Sequence, residues 1–183
     1  MYPLAKIYAF EPSGKSFGIL SSQIKNSGDN KTSIFQIGIG SSNETLNFYE
    51  SILDETSTFV LPDPNSNYSK KKNRLLIQKP ENSFTPVLAN VRTIDSFLRD
   101  NYINHVDILK IDVEGFEYQV LLGASETLSA GKIQRIQLER HTDDMRADTF
   151  PAIDALLRGF GYSRIKEIKH PFGSFFELLY QIS

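Results

Sequence analysis

Short apolar runs rich in strand-forming residues recur along the chain and alternate with stretches of helical spacing. The first run, Lys6–Phe10, ends at Glu11-Pro12, because proline disfavours helical geometry for the residue before it. Ser13 can cap the following helix, in which apolar residues recur every three or four positions up to Ser27-Gly28. Runs of this kind predict four buried strands, at Lys6–Phe10, Ile34–Ile39, Ile108–Val113 and Ile133–Leu138.

The second half of the chain continues the alternation. Thr93 is placed to cap a short helix, and helical spacing predicts longer helices over Phe116–Ser129 and Phe150–Arg158. Two final strands, Tyr162–Ile168 and Ser174–Ile182, are joined by a Pro-Phe-Gly turn and form an antiparallel pair. Strands that alternate with helices predict an α/β fold with a mainly parallel sheet.

The stretch Ser51–Ala89 interrupts this pattern. It contains four prolines, the basic cluster Lys70–Lys72 and little periodicity, so we expect an irregular insertion with a solvated basic loop. Just before it, the alternation at Leu46 and Phe48 indicates a strand that returns from a turn in a hairpin-like excursion. At 183 residues, and with no internal repeat, the chain has the length of one domain spanning residues 1–183.

The composition is that of a soluble globular protein, with 40% hydrophobic and 23% charged residues. A net charge of -2 argues against a nucleic-acid partner and against binding to an anionic membrane surface. The absence of cysteine excludes disulfides, thiolate metal sites and a cysteine nucleophile, and it fits a reducing compartment. Met1–Phe10 lacks the features of a signal peptide and no stretch approaches the ~20 apolar residues of a membrane span, so we expect a cytoplasmic protein.

Acidic side chains stand where the predicted strands end, at the edge where open parallel sheets bind ligands. These residues are Glu11 after the first strand, Asp112 and Glu114 after the third, and Glu139 after the fourth, where His141 follows as a further polar candidate. Glu11 can accept both hydrogens of a ribose diol or can cap the helix that follows it, and the residues alone leave both roles open. The same acids are also residue types that bind a hard cation, and we favour chemistry without a metal.

Two stretches of the sequence are similar to the motifs of a known family. Ile7–Pro12 (IYAFEP) and Val106–Ala124 (VDILKIDVEGFEYQVLLGA) closely resemble the FkbM-type S-adenosylmethionine-dependent methyltransferases. Further pieces agree in order along the chain, namely Gly38-Ile39-Gly40, Val91–Asp95 (VRTID), Glu139 and Leu156–Tyr162 (LLRGFGY). The resemblance covers nearly the whole chain and is weakest between Ser51 and Ala89.

The resemblance implies a Rossmann-like methyltransferase sheet and S-adenosylmethionine as the cofactor. In this family pattern Glu11 binds the ribose hydroxyls of the cofactor. The cofactor site that the resemblance implies consists of Glu11, Pro12, Gly38, Ile39 and Asp112. The acceptor class that it suggests is a sugar or another small hydroxylated metabolite.

The resemblance also implies that Asp112 and Glu114 lie beside the transferred methyl group. A carboxylate at this place can take the proton that an acceptor hydroxyl loses when it attacks the methyl group. We therefore expect the catalytic residues to come from Asp112, Glu114, Glu139 and His141.

The sequence departs from the family pattern at its start. Only Met1–Ala5 precedes the AFEP strand, where the family has a first strand and a glycine-rich turn that holds the methionine end of the cofactor. We therefore expect an N-terminally truncated sheet. The missing strand would lie between the AFEP and KIDVEG strands, so these strands pair directly, or another chain fills the space in a homo-oligomer, or the sequence is a fragment.

Three function classes remain after these observations. The first is a methyltransferase that uses S-adenosylmethionine to methylate a hydroxyl group. The second is a non-catalytic relative of such enzymes that acts as an interaction module. A nicotinamide-dependent oxidoreductase ranks last, because it requires a glycine fingerprint that the chain lacks.

Overall fold

The computed structural model describes residues 5–51, 57–61, 63, 65–66, 84–141, 148–171 and 175–183. The basic cluster at residues 70–72 lies outside these residues, as do residues 1–4 before the first strand and residues 172–174 of the C-terminal turn. Over the described residues the chain is an α/β protein with mixed sheets.

Strands and helices follow one another through most of the described chain. The strands are β1 (Ile7–Phe10), β2 (Thr32–Phe35), β3 (Gly38–Ile39), β4 (Glu44–Ser51), β5 (Phe84–Arg92), β6 (Leu109–Ile111), β7 (Arg135–His141), β8 (Tyr162–Lys169) and β9 (Phe175–Ile182). The helices are α1 (Gly14–Ser27), α2 (Ile94–Asp100), α3 (Glu117–Leu122), α4 (Ser125–Ser129) and α5 (Phe150–Gly159). The strands form three hydrogen-bonded sheets, with the orders β1-β2, β3-β5-β4 and β6-β7-β9-β8.

The strand directions correct the prediction of a mainly parallel sheet. The pairs β1–β2, β3–β5 and β6–β7 are parallel, whereas β4–β5, β7–β9 and β8–β9 are antiparallel. The predicted antiparallel C-terminal pair is confirmed as β8 and β9. It changes the sheet more than expected, because β9 also pairs antiparallel with β7 and so lies inside the sheet.

The predicted helix starts and stops are confirmed where a side chain or a glycine caps the helix. The Ser13 hydroxyl accepts the Ser16 amide at the start of α1, and Gly28 ends that helix at a φ of 68°. The Thr93 hydroxyl accepts the Ser96 amide and starts α2 in the same way. Among the described residues, no helix combines the length and the apolar character that crossing a membrane requires.

The strand predicted over Ile34–Ile39 is in fact two strands of different sheets. β2 pairs with β1 only as far as Phe35, whose carbonyl accepts the Glu11 amide, and the amide of Ser13 donates to the Glu11 side chain instead of to β2. The chain then turns and β3 pairs with β5. The single sheet predicted from the four apolar runs is therefore interrupted, and β1 and β6 are the terminal strands of separate sheets in the described part of the chain.

The helix predicted over Phe116–Ser129 is divided into α3 and α4 at Gly123. A Cβ atom at Gly123 would lie 1.9 Å from the carbonyl oxygen of Gly40, so only glycine allows this approach. Asp95 fixes the break, because its amide donates to the Gly123 carbonyl and its carboxylate accepts the amides of Glu126 and Thr127 at the start of α4.

The predicted strand at Leu46 and Phe48 is confirmed as β4, but it does not form a hairpin with the strand before it: β4 pairs antiparallel over eight residues with β5, which lies between β3 and β4. β5 includes residues 84–89, so the last part of the stretch expected to be irregular is a regular strand. Within the described residues of that stretch, Thr58 forms an isolated bridge with Tyr49 of β4. β4 therefore pairs with two segments, β5 and the residue Thr58.

Phe97 of α2 holds the β1–β2 sheet against the rest of the core. Its ring makes edge-on contacts with Tyr8, Phe10 and Phe35, at centroid distances of 5.8, 4.7 and 4.9 Å. Phe97 is 2% exposed and belongs to the same buried cluster as Ile111 of β6. Side-chain packing thus connects two sheets that share no strand pairing among the described residues.

β8 is an edge strand, and every residue after Tyr162 is exposed. Its apolar side chains Ile165 and Ile168 are about half exposed and stand between the cationic residues Arg164, Lys166 and Lys169. Tyr162 is the exception, since its ring is buried and its hydroxyl donates to the Ile133 carbonyl at 2.6 Å.

We expect Gly123→Ala to lower the free energy of unfolding by about 1–3 kcal/mol, because the added methyl group meets a backbone oxygen that has little room to move. Urea unfolding of the purified chain measures this loss. Gly18→Ala is the matched control: no atom lies within 4 Å of the added Cβ, so this helix position should become more stable by about 0.5–1 kcal/mol. Equal stabilities of the Gly123→Ala variant and the wild type would contradict the proposed close approach.

Candidate active site

A cleft of about 760 Å³ separates β1 from β6. Residues 7–12 line one side of this cleft and residues 109–114 line the other, so it follows both strands to their carboxyl ends. Seven of the eight predicted site residues line it, namely Glu11, Pro12, Gly38, Ile39, Asp112, Glu114 and Glu139. The eighth, His141, is outside the lining but contacts Glu139. We refer to this space as the β1/β6 cleft.

Glu11 lies at the exit of β1, and its environment includes features of both roles that the sequence left open. One carboxylate oxygen accepts the amide of Ser13, the cap residue of α1, at 2.7 Å. The Ser13 hydroxyl in turn donates to Glu50 at 2.6 Å, a partner that the sequence did not indicate. Burial, with a smaller contribution from the Glu50 charge, raises the pKa of Glu11 above its ordinary value.

Asp112 follows directly after β6 and faces the cleft beside a lysine. The Lys110 ammonium donates to an Asp112 carboxylate oxygen at 3.0 Å. This hydrogen bond is the main reason that the pKa of Lys110 is raised. Lys110 therefore acts as the local counter-charge of Asp112.

Glu114 lines the same cleft at the residue where the chain turns. Glu114 has a φ of 53° and Gly115 a φ of 96°, so two consecutive residues adopt the left-handed region. The Gly115 amide donates to the buried Glu117 carboxylate at 2.9 Å, and the Thr58 hydroxyl donates to the Glu114 carbonyl at 2.8 Å. Asp112 and Glu114 both line the cleft, although the chain leaves the extended conformation at Glu114.

Glu139 and His141 lie within β7, which extends to His141 and so is longer than the predicted strand. Both side chains are on one face of the strand, and the Glu139 carboxylate is 3.0 Å from Nε2 of His141. Burial raises the pKa of Glu139, the negative charge of Asp112 raises it further, and His141 opposes the shift. Glu139 therefore holds its proton more tightly than a solvated carboxyl group does.

The far wall of the cleft is aromatic and was not predicted. Phe59 lies 4.9 Å from the ring centroids of both Phe48 and Phe116. Its ring fills the space beside Gly38, where an added Cβ would lie 2.5 Å away. Residues 57–61 have no hydrophobic period, so no sequence signal places Phe59 at the site.

The described residues hold no group of three or more histidine and acidic side chains arranged to bind a metal ion. The Asp112 carboxylate is paired with the Lys110 ammonium, and the Glu139 carboxylate is paired with the His141 ring. The polar groups of the site are therefore arranged in pairs that suit proton transfer and hydrogen bonding.

The comparison with protein families gives a match over most of the chain: residues 2–164 match the family described as Methyltransferase FkbM domain. The chain belongs to the FkbM methyltransferase family. Methyltransferase sdnD of Sordaria araneosa is 30% identical to this FkbM chain over 138 residues, which cover 68% of the chain and 53% of the relative. The chain thus spans about half the length of that relative. No solved structure gives a significant match to it.

Both matches confirm the resemblance that the two sequence motifs indicated, and both support methyl transfer as the general chemistry of this FkbM chain. The IYAFEP motif forms β1 and its exit, and the LKIDVEG motif forms β6 and the turn after it. The two motifs are about 100 positions apart in the sequence and face each other across the β1/β6 cleft.

The raised pKa values predict a specific pH dependence of stability. Glu11 and Glu139 bind a proton more tightly in the folded chain than in the unfolded one, since both folded pKa values lie above 4.5. Their contribution to stability is therefore fully present below about pH 4.5 and is lost as the pH rises through the folded pKa values. A glutamine at position 139 does not ionise, so Glu139→Gln should not lose stability through the charging of this residue. We therefore expect the variant to gain stability relative to the wild type between about pH 4.5 and pH 7.

Urea unfolding of the wild type and of the variant at both pH values measures this difference. Glu11→Gln provides an independent second case, which should change in the same direction. A difference between Glu139→Gln and the wild type that is equal at the two pH values would show that burial does not penalise the Glu139 charge.

Proposed function

We propose that this chain carries the catalytic site of an S-adenosylmethionine-dependent methyltransferase that acts on a hydroxyl group. The observation that carries the proposal is the β1/β6 cleft, which brings Glu11 together with Asp112, Glu114 and Glu139. The family match supports methyl transfer in general, and the cleft supplies the residue types that this particular reaction needs.

The residues of the cleft fit the proposed cofactor in size and in chemistry. Its volume of about 760 Å³ lies within the range of about 300–1,000 Å³ that is typical of small-molecule sites. Glu11 offers a carboxylate for the ribose hydroxyls, while Ile37 and Ile39 provide apolar surface for a flat ring. When bound, S-adenosylmethionine supplies an electrophilic methyl group on a cationic sulfonium.

The proton chemistry is assigned to the carboxylates on the β6 side. An acceptor hydroxyl must lose its proton as its oxygen attacks the methyl group. Glu139, with its raised pKa, is the better proton acceptor, and His141 stabilises its charged form at 3.0 Å. Asp112, held by Lys110, and Glu114 orient the hydroxyl and stabilise positive charge near the transferred group.

The charges of the cleft favour a neutral acceptor. Four carboxylates and a single base, Lys110, are found among the described lining residues, and that base is already paired with Asp112. A carboxylate or phosphate acceptor would be repelled here, whereas a neutral polyol can donate hydrogen bonds to the acids. We therefore assign a sugar or another small hydroxylated metabolite as the acceptor.

We further propose that the natural sheet is Rossmann-like and continuous, with one additional strand between β1 and β6. Each of these strands is the last of its sheet among the described residues, and each presents a row of backbone groups to the cleft. A parallel strand from a segment outside residues 1–183 would satisfy those groups and would join the β1–β2 and β6–β7–β9–β8 sheets. A turn after that strand would supply the amides that hold the methionine end of the cofactor.

A non-catalytic interaction module is the alternative function, and the same β1/β6 cleft supports it. An unpaired sheet edge can bind a strand of a partner protein without any bound cofactor. Calorimetry with S-adenosylhomocysteine on a protein that includes the additional strand distinguishes the two functions, because a module of this kind should give no heat of binding.

We expect Glu11→Ala to weaken S-adenosylhomocysteine binding by about 1–3 kcal/mol, because two ribose hydroxyls lose their acceptor. Isothermal titration calorimetry measures the affinity. Glu126→Ala is the control, because Glu126 is an exposed carboxylate on α4 outside the cleft and should bind like the wild type. Unchanged affinity in Glu11→Ala would exclude Glu11 from the cofactor site.

We expect the 183-residue chain to bind S-adenosylhomocysteine at least ~100-fold more weakly than a chain extended by the upstream coding sequence, because the cofactor is mispositioned without the added strand. Calorimetry on both proteins tests this expectation. In the extended protein, Asp112→Asn should then lower the rate of methyl transfer. Tight binding by the 183-residue chain would show that its site is complete without a further strand.

A further inference from the structure

A short segment outside both sequence motifs is tied to the turn that carries Glu114. Thr58 is 1% exposed, although it lies in a stretch with no hydrophobic period. Its backbone is fixed to β4 by two hydrogen bonds with Tyr49, of 2.9 and 3.1 Å. The position of the Thr58 side chain is therefore determined by a regular strand of the fold.

The Thr58 hydroxyl connects two parts of the chain that are 56 positions apart. It donates to the Glu114 carbonyl at 2.8 Å and accepts the Val60 amide at 3.0 Å. The second acceptor within its reach, the Val60 carbonyl, is more distant at 3.2 Å. Because a hydroxyl has one hydrogen, the shorter contact assigns that hydrogen to Glu114.

The conformation of Glu114 needs such support. A non-glycine residue in the left-handed region is strained, and such a conformation persists only where the surrounding structure holds it. Glu117 holds the turn from within, through the Gly115 amide. Thr58 holds it from a different sheet.

The ring of Phe59 keeps this contact in place. It lies between Phe48 on β4 and Phe116 at the start of α3, with both centroids 4.9 Å away. Phe48 is itself 3% exposed. The segment 57–61 therefore cannot shift away from the turn without disrupting an aromatic cluster.

We propose that Thr58 is a positioning residue that holds the turn at Glu114-Gly115 so that the Glu114 carboxylate faces the β1/β6 cleft. The assignment of a role to Glu114 rests on the proposed methyl transfer. The φ of Glu114 sets the direction in which its side chain leaves the backbone, so relaxation of the turn would redirect the Glu114 carboxylate from its present place in the lining of the cleft.

Amide hydrogen exchange followed by NMR tests the hydrogen bond from Thr58 to the Glu114 carbonyl without requiring cofactor binding or turnover. The probe is the Gly115 amide, and the reference is the amide of Leu138 in the buried strand β7. In Thr58→Val, which keeps the shape and removes the hydroxyl, we expect Gly115 to exchange about tenfold faster relative to Leu138. Thr58→Ser keeps the hydroxyl and should restore the protection of Gly115.

Thr127→Val is the matched control, because Thr127 is also buried and its hydroxyl bonds to Asp95 away from the cleft. This variant should accelerate Gly115 and Leu138 by similar factors. Equal acceleration of both amides in Thr58→Val, or failure of Thr58→Ser to restore protection, would overturn the proposal.

A second measurement shows whether the carboxylate moves together with the turn. The charge of Glu114 contributes to the raised pKa of Glu139, so displacement of the Glu114 carboxylate should change the titration midpoint of the Glu139 carboxyl carbon. The midpoint should shift in Thr58→Val and stay at the wild-type value in Thr58→Ser. An unchanged midpoint in Thr58→Val would show that the tie does not position Glu114. If the wild type fails to bind the cofactor, that result would contradict the proposed function, but it would not contradict the role of Thr58 in holding the turn.

Discussion

The position of Glu11 relative to Asp112 depends on the packing around Phe97. Hydrogen bonds of the β1–β2 sheet stop at β1, and those of the larger sheet stop at β6, so no described strand pairing sets the distance across the cleft. Three edge-on ring contacts to Phe97 do so instead, and they attach β1 and β2 to the core that contains Ile111. Aromatic packing of this kind is geometrically specific, and it allows small relative movements that a hydrogen-bonded ladder would resist.

Much of the fold could be predicted because local signals agree with the final structure. Ser13, Thr93 and Gly28 mark helix ends by backbone chemistry that acts within a few residues. The division of the predicted helix at Gly123 was not predictable, because its cause is the carbonyl of Gly40, more than 80 positions away. The separation of β2 from β3 has a similar origin, since β3 pairs with β5, about 50 positions further along the chain.

The candidate site shows the same distinction between local and distant causes. Carboxylates at strand exits were predicted because the rule depends only on strand order, and the cleft collects them as expected. Thr58 and Phe59 lie in a stretch without periodicity, and only the tertiary structure brings them to the turn at Glu114. Residues that support a site from a separate segment leave no pattern in one sequence.

The cationic residues on the outer strand β8 have a consequence for assembly. A strand approaching this edge from another molecule meets Lys166 and Lys169, and a second copy of β8 would bring the same charges. Lateral growth of the sheet at this side is thereby discouraged, although Ile165 and Ile168 are accessible there. The strands β1 and β6 beside the cleft carry one lysine between them, Lys110, so charge opposes an added strand less there than at β8.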